Sequence, residues 1–136
     1  MKKAAPWLML GGRVCVVLIL LVSAAQKLRW PGGTAQYMEG VGMPGASETL
    51  AYLSGIFEVA AGLAILAGWK TRYAALAVSI YLVPVTWYTH LAVVWSTADA
   101  VVRDQETYQS LKNLSVIGGL LLLAAAGPGA HSVDRK

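Results

Sequence analysis

The sequence is poor in cysteine and in charged residues. Its 136 residues include one cysteine, Cys15, and only 13% are charged. A single cysteine excludes an intrachain disulfide and a CxxC redox centre, so electron transfer would need a bound cofactor or a partner protein. Few charges, 57% hydrophobic residues and a mean hydropathy of +0.57 are typical of a membrane protein rather than a soluble domain.

Four apolar runs approach or reach the roughly 20 residues that a spanning helix needs. They lie at about 7–28, 49–69, 73–95 and 112–127. Four short crossings leave no room for a soluble domain, so we expect one all-α domain over residues 1–136, an integral membrane four-helix bundle. The spacing of Tyr37, Met38 and Val41 predicts a short interfacial helix in the first exterior loop. The polar stretch near 98–108 is interpreted as a second exterior loop.

The basic residues sort by side of the membrane. If there are four spans, one side holds both termini and the basic residues Lys2, Lys3, Lys70, Arg72, Arg135 and Lys136. The other side mixes basic with acidic residues, so the positive-inside rule predicts that both termini are cytoplasmic. The net charge of +4 therefore needs no nucleic-acid partner. The competing interpretation of the first run as a cleaved signal peptide is disfavoured by its length and by Arg13.

Two residues of opposite charge, Arg13 and Glu58, lie inside apolar runs, where an ionisable side chain is a candidate functional site. Trp7 and Trp69 are taken to mark the boundary on the side of the termini. A rise of 1.5 Å per residue then places Arg13 about 9 Å and Glu58 about 16 Å from it, with Lys27 near 30 Å. The depths predict a buried Arg13–Glu58 ion pair. Two roles stay open: a structural clamp between the first two spans, or a carboxylate that carries a proton or faces a ligand.

A candidate ligand pocket follows from the same depth scale. Its residues are Gln26, Lys27, Trp87, His90, Lys112 and Asn113. Pro84 should bend the third span and open a gap there, and an aromatic wall with few polar groups suits a flat molecule with carbonyls, such as a quinone. Interfacial anchoring explains the same residues without a ligand. No metal site is predicted, because His90 has no second His, Cys or acid at i+3 or i+4.

Several short pieces, in this order and spacing, resemble the DoxX family of small four-span bacterial membrane proteins. They are Arg13, Gln26-Lys27-Leu28, Gly42-Met43-Pro44, Gly55, Glu58, Gly62, Leu66, Gly68, Arg72, Ala74-Ala75, Lys112-Asn113 and the tail from Gly127 to Asp134. The similarity runs nearly end to end, and it implies a location in a bacterial inner membrane. Ala25 departs from the pattern, since many relatives have Gly there, which affects local packing.

The resemblance implies a place in membrane redox assemblies. Some members are subunits of thiosulfate:quinone oxidoreductases, others are tied to oxidative stress or metalloprotein maturation, and distant ones are cargo receptors or chaperones. We therefore expect a membrane subunit that binds a quinone or similar lipid-soluble molecule and works with a separate redox partner. The resemblance assigns no catalytic residue. It does not determine the oligomeric state, or whether the chain has any activity without a partner.

The alternative is a non-catalytic assembly or chaperone-type scaffold for exported or membrane partners. The redox interpretation predicts a cavity that reaches Glu58 or His90, whereas the scaffold predicts a filled bundle. A proton-coupled transporter is weaker still, because four short spans with one buried pair offer little machinery for alternating access.

Overall fold

The computed structural model describes residues 4–134, and in that range the chain is helical without strands. The helices are α1 (Ala5–Arg29), α2 (Pro31–Gly40), α3 (Glu48–Ala67), α4 (Thr71–Thr86), α5 (Ala92–Ser96) and α6 (Ala100–Ala126). A π-helical turn, Trp87–Leu91, joins α4 to α5. Four stretches are long and apolar enough to cross a membrane: α1, α3, the continuous stretch Thr71–Ser96, and α6. The predicted all-α, four-span fold is confirmed.

The helix ends follow local chemistry. Ser47 caps α3, since its hydroxyl accepts a hydrogen bond from the Leu50 amide at 3.1 Å. The same helix ends at Gly68, whose φ of 74° is the left-handed conformation that favours glycine. Pro31 begins α2 directly after Trp30, because proline suits the first turn of a helix but cannot continue one. A short helix is thus present where one was predicted after the first span, as α2, with Val41 directly after its end.

The four spans close into a bundle in which α1 packs on α3, α3 on α4, α4 on α6, and α6 back on α1. Its core is apolar, with Val17, Ile65, Val78 and Leu120 almost fully buried. Large apolar side chains also cover the outside: Leu8, Leu18, Leu63, Ile80 and Leu122 are all exposed. An apolar exterior around an apolar core is the pattern expected of a bundle surrounded by lipid.

The helix of the fourth span begins earlier in the sequence than its polar residues suggested. The connection between α5 and α6 is only 97–99, and Asp99 caps α6 by accepting from the Val101 amide at 2.8 Å. The prediction of an exterior loop near 98–108 is therefore wrong, because this stretch is helical from Ala100 onward. With 27 residues, α6 is about 40 Å long, which exceeds a hydrocarbon core of roughly 30 Å. Polar residues in its first turns can stay helical because they project beyond the lipid.

We call the end of the bundle that holds the start of α1 and the end of α6 the termini end, and the opposite end, with α2, the loop end. At the termini end the C-terminal segment, residues 127–134, crosses the end of α3: the amides of Val133 and Asp134 donate to the carbonyls of Ala67 and Gly68, each at 3.0 Å. Lys2, Lys3, Arg135 and Lys136, which entered the sidedness prediction, lie outside the described residues.

Candidate functional site

The buried acid of the second span pairs with a different cation from the one predicted. Glu58 Oε1 lies 2.6 Å from Lys27 Nζ. Arg13 instead donates from Nη2 to the carbonyl of His131 in the C-terminal segment. Arg13 and Glu58 are both buried, 1% and 2% exposed. The prediction that they form an ion pair is wrong.

The physical reason is the register between α1 and α3. A side chain at Gly68, the end of α3, would collide with Arg13, so Arg13 lies level with that end. The depth estimate had placed α1 about six residues, or about 9 Å, out of this register. Ten residues up each helix, Ser23 faces Glu58, with Ser23 Oγ 3.3 Å from Glu58 Oε1. Lys27 is one turn further, and its flexible stem reaches back to the carboxylate.

Gly55 allows this approach. A Cβ atom built on Gly55 would lie 3.0 Å from Leu28 Cγ and 3.2 Å from Lys27 Cβ, which is tighter than ordinary packing. Small residues at such positions let membrane helices pack closely. Gly55 is also one turn before Glu58 on α3, so it brings the backbone of α1 near the carboxylate.

A third helix completes the network around Glu58. The Tyr81 hydroxyl on α4 donates to Glu58 Oε1 at 2.9 Å and accepts from Lys27 Nζ at 2.9 Å. The second carboxylate oxygen of Glu58, Oε2, is buried and has no hydrogen-bond partner among residues 4–134. The Lys27–Glu58–Tyr81 cluster therefore holds one carboxylate oxygen and leaves the other unused.

Sequence reasoning missed Tyr81 as a site residue, although a signal was present. Tyrosine collects at the interfaces of membrane proteins, yet Tyr81 lies in the middle of its span. A hydroxyl at that depth needs a hydrogen-bond partner, and the carboxylate of Glu58 was an acceptor at a comparable depth.

A cavity of about 790 Å³ extends from this cluster toward the loop end. It lies between α1, α3, α4 and α6, and α2 covers part of it. The lining includes five of the six predicted pocket residues: Gln26, Lys27, His90, Lys112 and Asn113. Trp87, the expected aromatic wall, is not in the lining and is 53% exposed, so that assignment is wrong. Trp30 lines the cavity instead.

The helix α2 is tied down over the cavity. The Tyr37 hydroxyl donates to the Thr89 carbonyl at 2.9 Å, and Met38 is buried beneath the helix. Tyr37, Met38 and Met43 all line the cavity. Burial, and secondarily the charge of Glu106, raise the pKa of Tyr37 above its ordinary value, which keeps the phenol protonated as a donor.

The far pole of the cavity contains a second acid–base pair. His90 Nδ1 lies 2.6 Å from Glu106 Oε2, and the two side chains are 16% and 21% exposed. His90 belongs to the π turn that follows Pro84 by three residues, and single π turns are rare and frequent at functional sites. Glu106 was not predicted as a site residue, because it lies in the stretch that was assigned to a loop.

Among residues 4–134 no group of three His, Cys, Asp or Glu side chains is placed to hold a metal ion. The site therefore consists of an apolar cavity with two polar poles. The deep pole is the Lys27–Glu58–Tyr81 cluster, and the loop-end pole is the His90–Glu106 pair. Such a cavity suits a mostly apolar ligand with a few hydrogen-bonding groups.

Comparison of the sequence with known proteins shows the family of the chain. The family model described as DoxX matches residues 8–91. The chain is 35% identical over 135 residues to the inner membrane protein YqjF of Escherichia coli K12, covering 99% of this chain and 95% of the relative. It is 36% identical to the inner membrane protein YphA of the same organism, covering 98% and 92%.

A mycobacterial relative is more distant. The uncharacterized membrane protein Rv3486 of Mycobacterium tuberculosis is 31% identical, covering 91% of this chain and 77% of the relative. No solved structure matches the chain significantly. The family-model match ends at residue 91, so it includes the deep pole and His90 but not Glu106 or the rest of α6.

Proposed function

The chain belongs to the DoxX family and is a multi-pass inner-membrane protein, and from that premise we propose that it is a membrane subunit of a redox system. In this proposal its cavity binds a quinone or a similar lipid-soluble molecule, and a separate partner protein takes part in electron transfer. The partner is needed because the one cysteine, Cys15, is exposed on α1 away from the cavity lining.

The observation that carries the proposal is the cavity itself. It reaches both Glu58 and His90, as the redox interpretation predicts, whereas a scaffold would have a filled bundle. Its volume of about 790 Å³ falls inside the usual range for small-molecule sites, about 300–1,000 Å³. About half of the lining residues are apolar or aromatic, and most of the exposed wall surface is apolar, which suits a ligand that reaches the protein through the bilayer.

The deep pole matches the oxygens of such a ligand. An ammonium group has three N–H donors, and two of those of Lys27 are directed to Glu58 Oε1 and the Tyr81 hydroxyl. The third is left for a carbonyl oxygen, which only accepts. The unpartnered Oε2 of Glu58 is buried, and it becomes an acceptor for a ligand hydroxyl when a neighbouring side chain shifts. One pole can therefore hold either a carbonyl or a hydroxyl oxygen.

The pole also has the parts needed to move a proton. A quinone, when bound, supplies two-electron, two-proton chemistry. Glu58 is the carboxylate in reach of such an oxygen, while Lys27 balances its charge and Tyr81 fixes its orientation. The buried surroundings keep bulk water from competing for these contacts.

Tryptophan fluorescence tests the proposal. Trp30 lines the cavity and Trp87, at the same end of the bundle, does not. With decylubiquinone and purified protein in detergent, quenching should saturate. Trp30→Phe should reduce the saturable quenching and Trp87→Phe should leave it unchanged. Lys27→Gln should weaken affinity about tenfold or more, because it removes a charged donor.

Quenching that rises linearly with quinone, equally in all four proteins, would mean that no specific site exists. The scaffold alternative would then lead.

A further inference from the structure

The histidine at the loop-end pole has one nitrogen engaged and one free. His90 Nδ1 lies 2.6 Å from Glu106 Oε2, and the ring lines the cavity. Nε2 forms no hydrogen bond to any other group in the described range 4–134. One edge of the imidazole is therefore held by α6, and the other is available to whatever occupies the cavity.

The carboxylate determines what the free nitrogen can do. An ionised carboxylate only accepts hydrogen bonds, so Nδ1 carries a proton whether the ring is neutral or charged. Nε2 is then an acceptor in the neutral ring and a donor in the charged ring. Carboxylates fix histidine tautomers in the same way behind metal ions and in catalytic triads.

The spacing of the two poles fits one ring. Tyr81 and His90 are nine residues apart on one continuous helical stretch, about 13 Å along its axis. Two hydrogen bonds of about 2.8 Å plus the roughly 5 Å between the oxygens of a quinone span about 11 Å. This is about 2 Å less than the axial rise, so a ring with one oxygen at the deep pole ends near His90, and the length of the histidine side chain can cover the remainder.

Resting on the proposed quinone site, we infer that His90 exchanges a proton with the ligand oxygen at the loop end, and that Glu106 is the residue that positions it. The neutral ring accepts the proton of a ligand hydroxyl at Nε2. The O–H bond breaks, its electron pair stays on oxygen, and the new N–H leaves an imidazolium beside the Glu106 carboxylate. The reverse step returns the proton to the ligand.

The charged and titratable groups near His90 lie on several helices. Tyr37 on α2 stays protonated, since burial and Glu106 raise its pKa. Lys112 on α6 and Arg29 on α1 also line the cavity as basic side chains. At the other pole Lys27 neutralises Glu58. Histidine is the side chain that ordinarily changes charge between pH 5 and 8.

The test compares a ligand that only accepts with one that also donates. Decylubiquinone affinity is measured from pH 5 to 8 by Trp30 quenching, and anaerobic decylubiquinol affinity by competition. In the unmodified protein the preference for quinol over quinone should rise about tenfold with pH, as Nε2 turns from donor to acceptor. His90→Gln should make the preference independent of pH. Glu106→Gln should reduce its pH dependence, and Tyr88→Phe, on the same turn but outside the lining, should not.

The outcomes separate this inference from the function on which it rests. Saturable binding with a preference that does not change with pH would overturn the role of His90 and leave the quinone site standing. A pH profile unchanged by Glu106→Gln would overturn the positioning role even if His90→Gln failed to fold. If neither ligand bound saturably, the proposed function would fail first and this inference with it.

Discussion

Replacing Lys27 with methionine should destabilise the protein by about 3 kcal/mol, because it strands the charge of Glu58 in the bundle. The two charged atoms are 2.6 Å apart and Glu58 is 2% exposed. At an effective dielectric constant of about 20 their attraction is about 6 kcal/mol, of which desolvation offsets a large part. Removing one partner of a buried pair typically costs about 3–5 kcal/mol. We expect the lower end of that range, since Tyr81 and Ser23 still donate to the carboxylate.

A double-mutant cycle measures this interaction. Equilibrium unfolding in mixed dodecylmaltoside and SDS micelles is compared for Lys27→Met, Glu58→Gln and the double variant. The double variant should lose at least about 2 kcal/mol less than the sum of the single losses. Arg29→Met, an exposed cation on the same helix, should change stability by less than about 0.5 kcal/mol.

If the stability losses of Lys27→Met and Glu58→Gln add to that of the double variant within about 0.5 kcal/mol, the Lys27–Glu58 pairing is refuted. The same cycle between Arg13→Met and Glu58→Gln should be close to additive, because these residues share no contact. A larger coupling there than between Lys27 and Glu58 would restore the original Arg13–Glu58 prediction and contradict the register of α1 on α3.

Two further predictions concern the ends of the bundle. Topology reporters fused at Ala98 and at Lys136 should lie on opposite sides of the membrane, with Lys136 cytoplasmic; identical sidedness would contradict the four-span arrangement. Arg72→Met should lower stability by about 1–2 kcal/mol in the same unfolding assay, because Arg72 donates to two carbonyls in the last turn of α6 at 3.0 and 2.9 Å. Lys70→Met, which removes a neighbouring charge without such bonds, serves as its control, and equal losses in the two variants would mean that the capping bonds contribute nothing.

Much of the fold was predictable because the bilayer limits the choices. Runs of apolar residues set the number of spans, and the Trp30-Pro31 break set the start of α2. Burial of Arg13 and Glu58 also followed from sequence, since each lies well inside an apolar run. Hydropathy, however, describes each helix against the membrane and contains no information on how two helices are shifted against each other.

That missing shift accounts for the wrong ion pair. The depth scale assumed that Trp7 and Trp69 mark one level, but α1 extends beyond the end of α3 at the termini end. The extension is covered by the C-terminal segment, where Gly129 packs against Met9 and the His131 carbonyl accepts from Arg13. These are contacts between distant parts of the chain. The glycine at position 55 was the available signal for close approach near Lys27, but a glycine alone does not name its neighbour.

The error at α6 has a different origin. The polar composition near 98–108 was taken as a loop, yet a helix can leave the membrane and remain a helix in water. This mattered for the site, because Glu106 lies in that extension and its partner His90 was then assigned without its carboxylate. Residue types thus predicted five of the pocket positions, while the acids that orient two of them, Glu58 for Lys27 and Glu106 for His90, needed the packing of the helices.

The apolar core and the cavity lie at different ends of the bundle. The buried side chains of Val17, Ile65, Val78 and Leu120 fill the bundle on the termini side of the Glu58 level. Most of the lining residues lie on the loop-end side of Glu58, so ligand or proton exchange with this carboxylate, in the proposed function, takes place mainly toward the loop end. If both termini are cytoplasmic, as the basic residues predict, that exchange occurs on the outer side of the membrane. Reporter fusions that reversed the orientation would move the exchange to the cytoplasmic side and leave the geometry of both poles unchanged, so sidedness and chemistry can be tested separately.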